Sequence, residues 1–313
     1  MLNIKEKNMG QNFSQIQKFS KNFPKKMNPI DFSLQFLACP NCLESLTKHK
    51  KMLHCSKCNS NFKISNENII DLVSTKSFNF KKNMSSEIYS EYSELRKVGH
   101  PLNEKSRLWG LESKFGTTGF VTTLRNKILS LLENEIICDV GAGVGNYSLY
   151  FAKQAKFVFH CDLDLETILS AAQEAKKQKI NNILFIRCDY LYLPFYSNSL
   201  DCITSIDVLE KGREHDSKLI EEISNKLIYN GKYIIDFHSK ERTKLTKAPI
   251  TDRYSRKELT NLVNLNNLSI NKIIGMGYLP TIRNFSGTTY TILNTLCKFF
   301  FPPARWLVIG KKK

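Results

Sequence analysis

Two cysteine pairs, Cys39-Pro40-Asn41-Cys42 and Cys55-Ser56-Lys57-Cys58, stand twelve residues apart. Each pair makes a tight knuckle whose two thiolates face one centre, and the stretch between them is long enough for a hairpin that sets the second knuckle opposite the first. Four thiolates fill a tetrahedral shell and leave no position for water, so Cys39, Cys42, Cys55 and Cys58 are predicted to hold a structural Zn2+ and not a catalytic one. In zinc-finger peptides such sites supply about 10–16 kcal/mol, enough to fold a unit too small for a core of its own. The competing chemistry is a pair of redox dithiols, which lacks the thioredoxin-like surround it would need. His49 and His54 lie nearby and are spare.

A second constellation begins at Ile137-Cys138-Asp139-Val140-Gly141-Ala142-Gly143-Val144-Gly145. An acid closes an apolar run, and three glycines turn the chain toward a helix, where a bare backbone can approach a ligand and take positive φ. The spacing is G-x-G-x-G, with Asn146 where a dinucleotide fold wants its third glycine, so a pyrophosphate suits this turn less well. The next apolar run ends at Cys161-Asp162, placing an acid where it can accept hydrogen bonds from both hydroxyls of a ribose. Asp189 closes the run after that. Each acid alone also reads as a solvated strand end or a helix cap; three at successive strand ends make a pattern.

These residues need elements to hold them, and the periodicity supplies them. From Glu135 onward short apolar strands alternate with helices, the signature of a parallel sheet covered on both faces. The expected strands are Ile136–Val140, Phe157–Cys161, Ile183–Cys188, Cys202–Ile206, Tyr233–Phe237, Ile270–Met276 and Trp306–Ile309. Helices are predicted over Gly145–Gln154, Glu166–Lys177 and Ser217–Ile228, the last closed by Asn230-Gly231, and Gly287–Pro303 reads as an apolar insertion. Upstream, residues 1–35 read as a flexible basic arm, 36–73 as the four-cysteine unit and 74–134 as a linker with covering helices. Ser86–Arg96 and Phe120–Leu132 are its amphipathic stretches; 135–313 is the α/β domain.

Composition bounds the partners. With 313 residues, 42% hydrophobic and 24% charged, the chain is globular and long enough for a large domain beside a small one. Lys and Arg exceed Asp and Glu by 46 to 29, a net charge of +17 that favours an anionic partner, although a generally Lys- and Asn-rich surface produces the same excess. Nine cysteines are too few for a disulfide scaffold, and Cys138, Cys161, Cys188 and Cys202 sit in strand-like runs as buried thiols, which predicts a reducing, cytoplasmic setting. The first thirty residues carry six Lys against one Glu without an apolar core, so no secretory leader is expected, and no apolar run is long enough to span a bilayer.

On these motifs, residues 135–310 resemble the class I S-adenosylmethionine-dependent methyltransferases. The resemblance extends through Tyr190-Leu191-Tyr192-Leu193-Pro194-Phe195, Ser199-Leu200-Asp201, Ser205-Ile206-Asp207-Val208-Leu209-Glu210, Leu219-Ile220-Glu221-Glu222-Ile223 and Asn230-Gly231-Lys232. It implies a doubly wound, mostly parallel, seven-stranded Rossmann-like sheet with S-adenosyl-L-methionine as cofactor. Asp139, Gly141, Gly143 and Gly145 would form its first motif, with Gly141 and Gly143 under the methionine portion. Asp162 would bind the ribose, Leu163, Asp189 and Tyr190 would stand by the adenine, and Ile206 near the sulfur. Residues 36–73 resemble the zinc ribbon of the tRNA-methyltransferase activator family, including Phe62-Lys63-Ile64 and Ile69-Ile70-Asp71-Leu72-Val73.

The resemblance leaves the acceptor open. Lys211 occupies a position where many biosynthetic members carry His, which counts against a metal there and leaves Glu210, His215 and His238 as candidate bases. Tyr89 and Tyr92 resemble the aromatic pair that covers the cofactor in related enzymes. Residues 240–257 hold seven Lys or Arg against two acids, either a solvated face or a contact for an anionic acceptor. Phe299, Phe300 and Phe301 suit a lid, a greasy acceptor site or, with the basic residues around them and at the terminus, peripheral contact with an anionic membrane surface. The expected reaction is O- or C-methylation of a small hydrophobic or anionic metabolite. The alternatives are methylation of an rRNA or tRNA base, for which a zinc module and +17 are suited, and a non-catalytic activator that keeps the fold; a nicotinamide dehydrogenase is the rival within the same architecture.

Overall fold

The computed structural model describes residues 28–78, 119–209, 212–242, 253–279 and 287–313. Two sheets organise them. The smaller is an antiparallel meander of β1 (Thr47–His49), β2 (Met52–Cys55) and β3 (Ser60–Lys63), turned at Lys50 and Asn59, both with positive φ. Alternation along β2 sends Leu53 and Cys55 inward and leaves Met52 exposed.

The larger sheet has eight strands in the order β10-β11-β9-β8-β5-β6-β7-β4. They are β4 (Ile69–Asp71), β5 (Ile136–Val140), β6 (Phe157–Asp162), β7 (Ile183–Arg187), β8 (Leu200–Ser205), β9 (Leu227–His238), β10 (Leu268–Met276) and β11 (Arg305–Lys312). Pairing from β4 through β9 is parallel, and β11 is antiparallel to both β9 and β10. The seven strands read from the sequence are all present, and the four-cysteine segment adds the eighth, with Ile69, Ile70 and Asp71 paired to Phe185, Ile186 and Arg187.

Period-two alternation splits the core between the two faces of the sheet. Cys138, Phe159, Ile186 and Ile235 face α5 (Arg213–Lys226) and α6 (Arg256–Asn264), whereas Ile137, Val158, Phe185 and Ile234 face α2 (Gly119–Leu129), α3 (Ser148–Phe151) and α4 (Leu165–Lys177). Between β7 and β8 the chain makes no helix, so part of the first face would lie bare. The N-terminal segment fills it: α1 (Pro29–Ser33) and the turn after it set Phe32 4.7 Å from Phe157 and Phe36 5.7 Å from Phe159, while Phe159 stacks edge-on to Phe195 at 4.9 Å. Main-chain bonds from Ala38 N to Pro194 O and from Tyr196 N to Phe36 O fasten this cover.

Four sequence expectations change. Residues 29–33, within the stretch expected to be a flexible arm, form α1 and pack Phe32 on Phe157. The helix after the glycine turn is only four residues long, Ser148–Phe151. The helix expected to end at Asn230-Gly231 stops at Lys226, because Leu227 takes extended φ and ψ and pairs with Leu200. Asn230, not Gly231, then adopts the positive φ, within β9, where the pairing with β8 slips between Leu200 and Cys202. Finally, the terminal lysines do not adjoin the phenylalanine run. β11 starts at Arg305 beside that run and carries Lys311 and Lys312 to the opposite edge of the sheet, roughly 20–25 Å away at ~3.3 Å per residue. There Lys312 Nζ donates to Asn198 Oδ1 and Leu227 O. The Ser86–Arg96 stretch, Tyr89, Tyr92, Glu210, Lys211 and residues 243–252 of the basic run lie outside the described residues.

Candidate functional site

The glycine turn leaves β5 with Gly141, Gly143 and Gly145 at φ of 70°, 54° and 87°, the left-handed region in which a side chain is strained. Gly141 and Ala142 donate their N–H groups to Cys161 O on β6, which clamps the turn to its neighbour. A Cβ on Gly141 would lie 2.3 Å from Val208 Cγ2, so packing excludes one there. A Cβ on Gly143 would meet nothing within 4 Å, so this backbone borders open space.

Asp139 lies under that turn and is 2% exposed. Thr204 Oγ1 donates to its Oδ1 at 2.7 Å, and its Oδ2 is buried with no hydrogen-bond partner. Burial, with the Asp162 charge adding to it, pushes the Asp139 carboxyl up to about 7. A buried acceptor that makes no hydrogen bond of good geometry, although the Ser148 N–H is near enough to favour its charged form, lies beneath a backbone bare of side chains, an arrangement that suits a ligand bringing an ammonium group. Asp162, at the end of β6, accepts from Gly143 N at 2.7 Å and from Asp164 N at 2.9 Å, one bond on each oxygen. Each oxygen keeps a lone pair, enough for two ribose hydroxyls. These residues therefore fit S-adenosylmethionine at both its methionine and its ribose ends.

The other expected residues are distributed around this centre. Leu163 is buried, and its carbonyl accepts from Arg187 Nε at 3.1 Å. Ile206 is buried at the end of β8. Asp189 is fully buried, and its Oδ1 accepts from Leu191 N at 3.0 Å, so part of its capacity goes to folding its own loop. Tyr190 is buried with its hydroxyl 2.9 Å from His215 Nε2. His215 is 3% exposed in the first turn of α5 and stands 4.0 Å from Asp216, whose carboxylate also accepts from Tyr254. It belongs to a buried polar wall. His238, partly buried, ends β9 opposite Arg305.

Sequence reasoning missed an ion triad at the same sheet edge. Arg305 spans Asp207 and Asp236 with two 2.6 Å bonds, and Asp207 N donates to Asp236 Oδ1 at 2.7 Å. Asp207 takes a positive φ of 65° to do so. Burial raises the Tyr147 phenol far above its ordinary value, and the charges of Asp236, Asp207 and Asp139 add to the effect. Tyr147 stays protonated at neutral pH. Its position two residues after Gly145 was a usable signal; Asp236 and Arg305, 69 residues apart, offered none.

The four cysteine sulfurs lie within 4.8 Å of one another, with Cys39–Cys58 and Cys42–Cys55 each at 3.5 Å. A zinc–sulfur length of ~2.3 Å sets tetrahedral edges of about 3.8 Å, so one ion fits. The Ser60 hydroxyl holds the Cys58 thiol down to about 6, favouring thiolate, while burial raises Cys39. A groove of about 680 Å3 between Asn28, Asn68, Lys176 and Phe185 is lined by none of the site residues.

Residues 138–235 match a family described as a methyltransferase domain. Two curated relatives align over short stretches. One is a 23S rRNA (uracil(1939)-C(5))-methyltransferase of Vesicomyosocius okutanii, 35% identical over 69 residues, 22% of this chain and 16% of the relative. The other is a tRNA (guanine(37)-N(1))-methyltransferase of Pyrococcus abyssi, 39% identical over 57 residues, 18% of this chain and 17% of the relative. The chain thus spans about a sixth of the length of these relatives. Similar solved structures include an S-adenosylmethionine-dependent methyltransferase of Aquifex aeolicus, 18% identical, covering 71% of this chain and 98% of that one with a TM-score of 0.46. Magnesium protoporphyrin IX methyltransferase of Synechocystis PCC 6803 with bound SAH is 17% identical, with coverage of 73% and 95% and a TM-score of 0.47. The matched residues run from β5 to β9 and contain the glycine turn and all three strand-end acids, so that this part of the chain is a methyltransferase domain.

Proposed function

We propose that the protein transfers a methyl group from S-adenosylmethionine to a small hydrophobic acceptor. The observation that carries the cofactor is the buried, unpartnered Asp139 Oδ2 beneath a turn whose Gly143 faces open space. Asp139 receives the ammonium group, Gly141 and Gly143 let the backbone lie against the methionine portion, and Asp162 accepts from the ribose. Leu163 and Ile206 give apolar walls, and Asp189 and Tyr190 stiffen the loop at the adenine end. The cofactor supplies an electrophilic sulfonium methyl, so the chain's own work is to hold the acceptor in line and exclude water.

For the acceptor we favour an apolar molecule over an anionic one. At the described edge Arg305 is neutralised by two carboxylates, which leaves little attraction for an anion. His238 stands beside that triad and is our choice for a proton acceptor should the reaction need one, with His215 assigned to the wall. The four cysteines hold zinc in this reading. Methylation of RNA is the second reading, favoured by the charge of +17 and by the two relatives' names.

Calorimetry and methyl labelling test these assignments. Binding of S-adenosylhomocysteine without binding of NAD is expected; the reverse pattern sinks the cofactor reading. With tritiated S-adenosylmethionine and cell extract, label should enter the solvent-extractable fraction and vanish with Asp162→Ala. Label in RNA that vanishes with the same variant favours the second reading, and cofactor binding with no transfer favours an activator. Metal analysis should return one zinc per chain.

A further inference from the structure

Helix α7 (Gly287–Cys297) has two apolar faces, and only one is used. Tyr290, Leu293 and Cys297 pack into the core beside α2. On the other side Ile292 and Leu296 are each 57% exposed. The chain continues in helix-like turns, with Phe299 N bonded to Leu296 O and Phe300 N to Cys297 O, and these carry the stripe on to Phe299 and Phe300 at 81% and 79% exposure. Positions 292, 296, 299 and 300 fall on one side of a helix. Two nearly bare phenylalanines in line with two bare aliphatic residues form the kind of contiguous patch that marks an interaction surface.

Its surroundings specify the partner. From Gly287 to Ala304 the sequence contains one Lys and no Asp or Glu. Lys298 is exposed within the stripe, whereas Arg242, 5.6 Å from the ring of Phe301, is buried and braces the segment by donating to Tyr278 O and Pro302 O. An apolar stripe that carries a lysine and no acid of its own matches the interfacial region of an anionic bilayer, where rings enter the acyl boundary and lysine remains at the headgroups. A protein partner of ordinary composition would leave the same stripe with few hydrogen bonds to make. Location agrees. The segment joins β10 to β11 at the edge where β5, β6 and β8 end, and Ser239 N bonds Ala304 O to tie it to the end of β9, three residues from Asp236.

We propose that the Ile292, Leu296, Phe299 and Phe300 stripe seats the protein on the surface of an anionic bilayer, so that a lipid-soluble acceptor enters the methyl-transfer site directly from the membrane. This rests on the hydrophobic-acceptor reading above, but its test needs no acceptor and no turnover. Among the described residues no helix is long and apolar enough to cross a membrane, so the contact is one of surface seating.

Cosedimentation of the full chain with vesicles of phosphatidylcholine and phosphatidylglycerol should show binding, weaker on phosphatidylcholine alone. Phe299→Ser with Phe300→Ser should lower partitioning by about tenfold or more. The double variant should keep its melting temperature and its affinity for S-adenosylhomocysteine, because both rings are bare in the folded chain. Lys298→Glu should weaken binding to the anionic vesicles more than to the neutral ones. Failure of the parent to sediment with anionic vesicles at low salt overturns the proposal, and so does equal binding by the double variant. A dimer in sedimentation equilibrium that the double variant abolishes, without vesicle binding, assigns the stripe to a second copy of the chain instead. Loss of S-adenosylhomocysteine binding by the parent would count against the enzyme reading alone.

Discussion

At Gly143 the left-handed backbone and the open space beside it separate two costs that usually come together. Gly143→Ala should lower stability by only about 1–2 kcal/mol, the strain of a side chain at that φ, yet its methyl would project into the space assigned to the cofactor and should weaken S-adenosylhomocysteine binding severely. Gly141→Ala meets Val208 and should lose stability as well, so comparing melting temperature with calorimetric affinity for the two variants checks the assignment. Asp139 makes a pH-dependent prediction. Its folded carboxyl is raised to about 7, above its unfolded value, so the folded state holds the proton longer and stability falls as pH rises from about 4 to about 7. Asp139→Asn keeps an acceptor for Thr204 and removes that penalty. Without cofactor, urea unfolding above pH 7 should find the variant more stable than the parent, by an amount on the order of a few kcal/mol, and the difference should shrink toward pH 4; a constant difference would refute a raised carboxyl. Asp139 and the three glycines were legible in the sequence because they fall within seven consecutive residues, and Asp162 because it closes the next strand. The Asp207–Arg305–Asp236 triad was not, since two acids and an arginine from three distant segments meet only after β8, β9 and β11 pair.

Among the elements, β4 is the one the sequence did not place. Three residues, Ile69 to Asp71, have the apolar pattern of any short strand, and nothing local tells whether their partner lies inside the cysteine unit or 116 residues away in β7. The same limit explains Asn230-Gly231: a helix-ending signal in isolation, it became a strand irregularity because the buried Leu227 had β8 to pair with. The β4 junction links the cysteine unit to the cofactor side, since Arg187 reaches Asp71 Oδ2 at 3.0 Å and Leu163 O at 3.1 Å. Asp71 is half exposed, so Asp71→Ala should cost within about 1 kcal/mol. Arg187→Ala strips the Leu163 carbonyl of its donor and should cost about 1–3 kcal/mol, with a loss of S-adenosylhomocysteine affinity that Asp71→Ala does not show. If the four cysteines hold a metal as proposed, removing it by chelation or Cys39→Ser should raise amide exchange at Leu72, whose N–H bonds Arg187 O. Unchanged exchange would show that β4 is held by the large sheet alone.

Over the whole molecule the charge of +17 is spread unevenly, and Lys311 to Lys313 stand at the far edge of the sheet from the site. Association with RNA through such a surface should be diffuse, and retention on polyuridylate should fall by about tenfold or more between roughly 50 and 200 mM salt. Retention that resists salt would move the acceptor toward RNA. The eighth strand bears on how the chain is made. All four cysteines and β4 leave the ribosome before any residue of the large sheet's β5 to β11, yet β4 cannot pair until β7 has been synthesised, a delay on the order of ten seconds at typical translation rates. Through that interval Phe32 and Phe36 have no Phe157 or Phe159 to cover and are exposed to self-association. A metal bound across Cys39 to Cys58 closes the meander without waiting for the rest of the chain, so its first service would be to the nascent polypeptide. Zinc starvation should then deplete newly made protein into aggregates while leaving molecules already folded in place, an outcome that pulse labelling would resolve.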